Sequence, residues 1–519
     1  MARKVFARYR VTGRLQTRSA LHVGGAGAVA DTDLPLARDG RGRIFVPGTS
    51  LAGALRNWCD GAFGVAATAN LWGPEHRRGD GDGGAASFIT VMDAVIEAPE
   101  GEHMLGVEIR DGVGIDRRLG TAAREIKFDR AVLPSGTLIG FALILDASAV
   151  DDPGIGILGH LIAALQAGEV LLGAARTRGL GQVALIDCKL LYQELATATG
   201  ILETLRRGGR LVDPATLAAT HAPPGLRPRL DFTVQWRARL PVMVKAGHEG
   251  NAVDILPMVS GDGRKVSLVL PGSSLKGALR SHAERILRTL HQTDADEDFE
   301  RQLVGEPLIR SLFGTPGTVD PAPLSEPGDQ VRPGLAALRV EDCRLAPEIE
   351  RENWAAIETA PTLPELVKLL ETQGLNGFQP AQHVAIDRWT GGAAEGQLFS
   401  VLEPHIAGSA GWSPLRLGIA LDRLASADRV SALVLLLLLL RDLRAGRLPI
   451  GFGTNRGLGE IEITGIELVG TGLVGIPLVE AFEGTQSWGE MPDPGPLQIP
   501  GLQQAWHDWL DPRELGSGP

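Results

Sequence analysis

The chain repeats itself at the scale of a domain. GTSLAGALR at Gly48–Arg56 recurs as GSSLKGALR at Gly272–Arg280, each preceded by an apolar residue and a proline. NLWG (Asn70–Gly73) returns as SLFG (Ser311–Gly314), and GIDRR (Gly114–Arg118) returns as AIDRW (Ala385–Trp389). The following GTAAR is matched by GGAAE, and RTRGLGQV (Arg176–Val183) by TNRGLGEI (Thr454–Ile461). Four matches in one order identify a duplication, so the two halves must fold alike.

Each copy opens with a period-two strand. Leu230, Phe232, Val234, Trp236 and Ala238 alternate with polar residues in the second copy, and Val5, Ala7, Tyr9 and Val11 alternate with Phe6, Arg8, Arg10 and Thr12 in the first. A glycine-containing loop follows. Then come proline, glycine and Thr49-Ser50 or Ser273-Ser274, which read as helix N-cap chemistry. The helix carries Leu51, Leu55 and Trp58, or Leu275, Leu279 and Ile286. Further strands (87–91 and 138–145) precede a second helix and a glycine-rich loop. Strand, helix, strands, helix, strand predicts an α+β chain of two ferredoxin-like domains. The expected boundaries are 1–212 and 229–470, with a Pro/Thr/Ala-rich linker at 213–228. An insertion with acidic, helix-like stretches is expected at about 316–380, and a Gly/Pro-rich tail at 471–519 that wraps a neighbour or is partly disordered.

Composition narrows the function. With 51 basic and 62 acidic side chains the net charge is −11, which argues against a freely binding polybasic protein but permits a local groove for RNA. Cys59, Cys188 and Cys343 are odd in number and far apart, so neither a disulfide framework nor a zinc site is indicated, and a cytoplasmic setting fits. No signal peptide is expected. The longest apolar run, Ala432–Leu440, falls well short of the roughly 18–20 residues that span a bilayer, so no membrane role is expected.

Two repeated elements suit phosphate. The helix start at Pro47–Arg56 offers unpaired N–H groups and the positive end of a dipole, with Ser50 and Arg56 at hand; Ser274 and Arg280 are their second-copy equivalents, and Lys276 adds charge there. The alternative is a plain cap on a packing helix. The loops Gly173–Gly181 and Gly451–Gly459 let backbone approach a ligand closely, with Arg176, Arg178 and Arg456 supplying charge. The alternative there is a structural turn. Neither loop ends in GK[ST], and neither has the acidic residue and parallel setting of a dinucleotide fold, so both nucleotide readings fail.

Taken together, LHVGG (Leu21–Gly25), DLPLARD (Asp33–Asp39), PGTSLAGALR, the IDR segment and the RxRGLG loop resemble the RAMP (repeat-associated mysterious protein) superfamily. The likeness is nearest to the backbone subunits of type III CRISPR effectors and covers about Lys4–Asp187 and Leu230–Leu468. Two copies in one chain resemble the fused subunits of subtypes III-D and III-E. The resemblance implies RRM-like domains with inserted β-hairpins that push through a guide–target duplex. It places Arg117, Arg118, Arg124 and Lys127 in one hairpin, and Arg388 and Trp389 in the other, against RNA. Trp389 could instead be buried.

The resemblance also implies that Asp33 cuts target RNA, with a divalent metal (Mg or Mn) or by orienting a 2′-hydroxyl. Asp31 lies close enough to be the true residue, and His22, near the same loop, is a candidate RNA contact. In the second copy Asp254 is the counterpart, but it stands three residues before Pro257 where Asp33 stands two before Pro35. The implied partners are guide RNA, complementary target RNA and other effector subunits. The readings that compete are a scaffold that binds guide without cutting, and an endonuclease trimming precursor guide RNA through an early histidine, for which only His22 is available.

Overall fold

Alternation decides the central strand of each sheet. In the computed structural model, which describes residues 4–25, 32–74, 85–97, 106–261, 264–315, 334–406, 411–488 and 501–510, the chain forms two compact units. The first is Met1–Ile109 with Asp129–Arg176 and Leu180–Leu226; the second is Arg110–Phe128 with Thr177–Gly179 and Arg227–Pro519.

In the first unit the strand Ala7–Thr17 buries Ala7, Tyr9, Val11 and Leu15 and turns the residues between them outward. It lies between Leu138–Ala147 and Val183–Glu194, both antiparallel, with Ile89–Val91 and Arg210–Leu211 at the edges. Setting the last edge strand aside, that is the ferredoxin-like order. The helices Gly48–Phe63 and Pro153–Ala167 supply the rest of the core. Leu51 and Leu55, a turn apart on the first helix, are fully buried and contribute about 2 kcal/mol each. The second helix opens with Asp152, whose Oδ1 accepts the Gly154 N–H at 2.9 Å, followed by proline at the first helical position.

The second unit repeats the plan. Arg229–Ala238 lies between Leu415–Ala420 and Ile461–Thr471, with Leu338–Val340 and Gly484–Trp488 at the edges. Helix Arg429–Arg444 contains the long apolar run, buried on every side, and helix Gly272–His291 packs Leu275, Leu279 and Leu287 beneath the sheet. In both sheets the following partner strand carries one extra residue against the central strand, opposite Thr12–Arg14 in the first and opposite Gln235–Trp236 in the second.

Three expectations change. The 213–228 stretch is not an open linker: Asp213 caps a helix, Pro214–Ala218, whose Leu217 is buried in the first core. The insertion is shorter than expected, because Leu338–Val340 and Cys343–Ala346 repeat Ile89–Val91 and Ala94–Val95. Its distinctive part is the helix pair Arg351–Glu358 and Leu363–Thr372, while 316–333 lies outside the described residues. In the tail, Gly484–Trp488 extends the second sheet, and helix Leu502–Leu510 buries Leu502 and Trp506 in the core; 489–500 and 511–519 lie outside the described residues.

Candidate functional site

In each copy an aspartate is locked to the base of a hairpin. The first hairpin is Glu108–Ile115 with Ala122–Val132; the second is Phe378–Ile386 with Ala393–Pro404. In the first unit the Asp33 backbone N–H donates to Asp129 Oδ1 at 2.7 Å, and the Asp129 N–H donates to Asp33 Oδ2 at 2.9 Å. In the second, the Asp254 N–H donates to Ser400 Oγ at 3.1 Å, while Asp254 Oδ2 accepts the Ser400 N–H at 2.6 Å and its hydroxyl at 2.8 Å. Both aspartates are exposed.

The proline offset between the copies does not displace the second aspartate. Leu34 bridges Arg130 in parallel, and Ile255 bridges Val401 in the same way. Gly25 N–H donates to Pro35 O where Ala246 N–H donates to Leu256 O, and Ala37 pairs with Val23 as Met258 pairs with Val244. Asp254 is therefore the positional equivalent of Asp33, and the proline is what has moved by one residue. Asp31 lies outside the described residues.

The glycine loop is tied to the strand beside each aspartate loop. Ala174 N–H donates to His22 O at 2.9 Å, and Phe452 N–H donates to Met243 O at 2.7 Å. The preceding glycines have φ of +71° (Gly173) and +93° (Gly451), and a Cβ on either would stand 2.1 or 2.3 Å from that same carbonyl oxygen. No other residue fits there. His22 is buried, its Nδ1 2.7 Å from Ala131 O, and burial lowers its pKa. It is a framework residue in this conformation, not an open RNA contact.

In the second unit the loop arginine is drawn onto aromatic rings. Arg456 lies over Phe399 at 5.0 Å and Phe452 at 5.8 Å, and Phe399 stacks on His383 at 5.2 Å. Asp254 and Ser400, next to Phe399, are thus flanked by a cation and stacked rings. Arg178, the equivalent of Arg456, is exposed, and Arg176 is half-buried.

The helix starts are not closed by their hydroxyls. Gly48 N–H donates to Asp93 Oδ1 at 2.7 Å and Gly272 N–H to Asp342 Oδ1 at 2.8 Å, and no side-chain cap is made by Thr49, Ser50, Ser273 or Ser274. Ser50 is exposed and Ser274 half-buried. Arg56 pairs with Asp60 at 3.5 Å. Arg280 is spent on Glu284 at 2.7 Å and on the carbonyls of Gly314 and Leu303. Lys276 is buried, donating to Leu338 O at 2.6 Å; burial first, then the charges of Arg178, Arg280 and Arg423, push its pKa well down. It is a packing residue here, so the phosphate reading of this helix rests on its neighbours.

The hairpin arginines divide. Within the second unit Arg110 reaches Asp342 Oδ2 at 2.7 Å, Arg117 reaches buried Glu284 Oε2 at 2.6 Å, and Arg118 reaches Glu297 Oε1 at 2.7 Å. Arg117, Arg118, Arg285 and Arg288 line a cleft of about 850 Å³. Arg124 and Lys127 remain on the surface, and on the second hairpin Arg388 is exposed and Trp389 is 96% exposed. Trp389 is not buried. Cys59 and Cys343 are pushed up to about 12 by burial, which makes them inert thiols at neutral pH. Among the described residues no three histidine, cysteine or acidic side chains converge as a metal site.

Two copies of a ferredoxin-like sheet, each with a glycine loop, an aspartate loop and a hairpin at one place, narrow the choice of family. The RAMP superfamily model matches residues 14–184 and 255–462, one stretch in each copy. The chain belongs to the RAMP superfamily. No curated protein matches it. Among the described residues of this tandem RAMP protein, no helix is long and apolar enough to cross a membrane. Sequence reasoning missed Asp129 and Ser400, the partners of the two aspartates, and Asp93 and Asp342, the helix-start acceptors. Their signal lay only in the alignment of the copies: Phe128-Asp129 falls on Phe399-Ser400, and each capping aspartate follows a short strand.

Proposed function

We propose that this tandem RAMP protein is a double backbone subunit of a type III-like, RNA-guided effector, which holds guide RNA and cuts paired target RNA at Asp33 and Asp254. One observation carries the reading. Two exposed aspartates, at equivalent positions, are fixed by reciprocal hydrogen bonds to the base of two equivalent hairpins. An aspartate kept only to satisfy its own loop would not need a partner on the hairpin in both copies. Arg178, Arg456, Arg388 and Trp389 supply exposed cations and a ring for strand contact.

In this reading the carboxylate at each site would orient or deprotonate the 2′-hydroxyl next to a scissile phosphate, whose attack breaks the chain into a 2′,3′-cyclic phosphate and a 5′-hydroxyl. Asp33 with Asp129 presents two carboxylates of the hard-oxygen type that suits magnesium, and Asp254 presents one, so RNA phosphate and water would complete the shell of Mg²⁺ or Mn²⁺. Such an ion would stabilise charge developing on the phosphate.

Other subunits of the effector are the expected neighbours. Gly179, at φ +88° in the second unit, is pressed so closely on Asp342 that a Cβ would lie 2.2 Å from Oδ1, while its equivalent Gly457, at +86°, has nothing within 4 Å. Among the described residues the second loop meets no such contact at Gly457, which supports a neighbouring subunit as its partner.

The test is a product ladder on labelled complementary RNA with the reconstituted complex. Asp33→Ala should erase one cut, Asp254→Ala another, and the double substitution both, with guide binding retained; chelator should stop all cutting and Mg²⁺ or Mn²⁺ restore it. A ladder that survives the double substitution leaves a guide-binding scaffold, and full cutting in chelator removes the metal.

A further inference from the structure

The helix pair Arg351–Glu358 and Leu363–Thr372 interrupts the second copy at a place where it can grip the Asp254 loop. Its Trp354, Ile357, Leu366 and Leu370 build a separate small core with Ala246, Val253 and Leu256 of that loop and with Phe378 and Leu402 at the base of the second hairpin. The two structures that fix Asp254 are thereby packed on one apolar body.

Polar contacts sharpen the grip. At the end of helix Arg351–Glu358, Glu358 O accepts the Asn251 N–H at 3.0 Å and Thr359 O accepts Asn251 Nδ2 at 3.2 Å. Glu358 Oε1 accepts Trp354 Nε1 at 2.8 Å and stands 3.0 Å from His248 Nε2. The loop is pinned at His248 and Asn251 on one side of Asp254 and at Ser400 on the other. Ala246 to Asp254 is as long as Gly25 to Asp33, so the insertion does not accommodate extra loop. It holds a loop of ordinary length.

We propose that the insertion is a positioning element dedicated to the second cleavage site, with Glu358 as its contact residue. The proposal rests on the reading that Asp254 cuts. Catalytic geometry loses about a hundredfold in rate for roughly 1 Å of misplacement, so a loop freed at His248 should cut slowly even with Asp254 in place. The first site, whose copy shows no such helix pair among the described residues, should be indifferent.

The experiment follows both cuts on one target with Glu358→Ala, Glu358→Gln and His248→Ala. His248 is 59% exposed, so its loss removes the contact from the loop side without threatening the fold. Glu358→Ala and His248→Ala should slow the second cut about 10- to 100-fold at saturating target. The first cut and guide binding should be unchanged, and amide exchange over 248–254 should speed up. Glu358→Gln, which still offers an oxygen to Trp354 and His248, should recover most of the rate. Equal slowing of both cuts, or an unchanged second cut, overturns the positioning role. A ladder that Asp254→Ala does not change overturns the underlying reading as well, and is separate because it needs no Glu358 variant.

Discussion

Asp254 Oδ2 accepts two hydrogen bonds from Ser400, whereas Asp33 Oδ2 accepts one, from the Asp129 backbone. The Ser400 N–H first, and its hydroxyl second, hold the Asp254 carboxyl below the usual carboxylate range. The ionised form is favoured because both donors point at it.

That asymmetry gives a pH experiment. Ser400→Ala keeps the N–H and removes the hydroxyl, so the pKa of Asp254 should rise and the acid limb of the second cut should move to higher pH. The first cut should keep its profile. Rate against pH for each product checks this, and a second cut whose acid limb stays in place would remove Asp254 from the chemistry.

Guide binding should depend on both loops. Arg178→Glu and Arg456→Glu should each weaken it and lower the slope of log K against log salt by about 0.7, one phosphate contact on a single strand. Fluorescence anisotropy across a salt series reads the slope. If only one variant matters, one copy has lost its RNA role.

Arg117 should matter for stability. It is one of three arginines around buried Glu284, with Arg280 at 2.7 Å and Arg288 at 3.9 Å. Arg117→Ala leaves the carboxylate two partners, so the expected cost is about 1–3 kcal/mol in denaturant unfolding. Arg124→Ala, 96% exposed on the same hairpin, should stay within about 0.5 kcal/mol.

The repeat made the fold legible: a duplicated pattern of period-two strands and apolar helices fixes two ferredoxin-like sheets, and the described strand orders match that reading. The candidate aspartates were also visible, through the family pattern. Their partners were not, because Asp129 is 96 residues from Asp33 and Ser400 is 146 from Asp254. The offset at Pro257 misled for a related reason. Counting residues to a proline measures distance along the chain, while register is set by the hydrogen bonds of the neighbouring strand. The cap hydroxyls failed because Pro47 and Pro271 hold the N-cap position: Thr49 and Ser273 fall inside the first turn, and Asp93 and Asp342 accept the first helical N–H instead.

Helix Leu502–Leu510 packs along helix Arg429–Arg444, placing Leu502 and Trp506 in the same core as the run of leucines, while Trp509 Nε1 reaches Asp428 Oδ1 at 3.4 Å. The helix that carries the long leucine run is therefore sealed by a segment that follows both repeats in the chain. A ribosome that stalled, or a protease that clipped, between Thr471 and Gly501 would release a protein with its two repeats nearly whole and a greasy seam bare to water. Shortened versions prepared for expression should end after Leu510, and those that end earlier should clump while longer ones stay in solution.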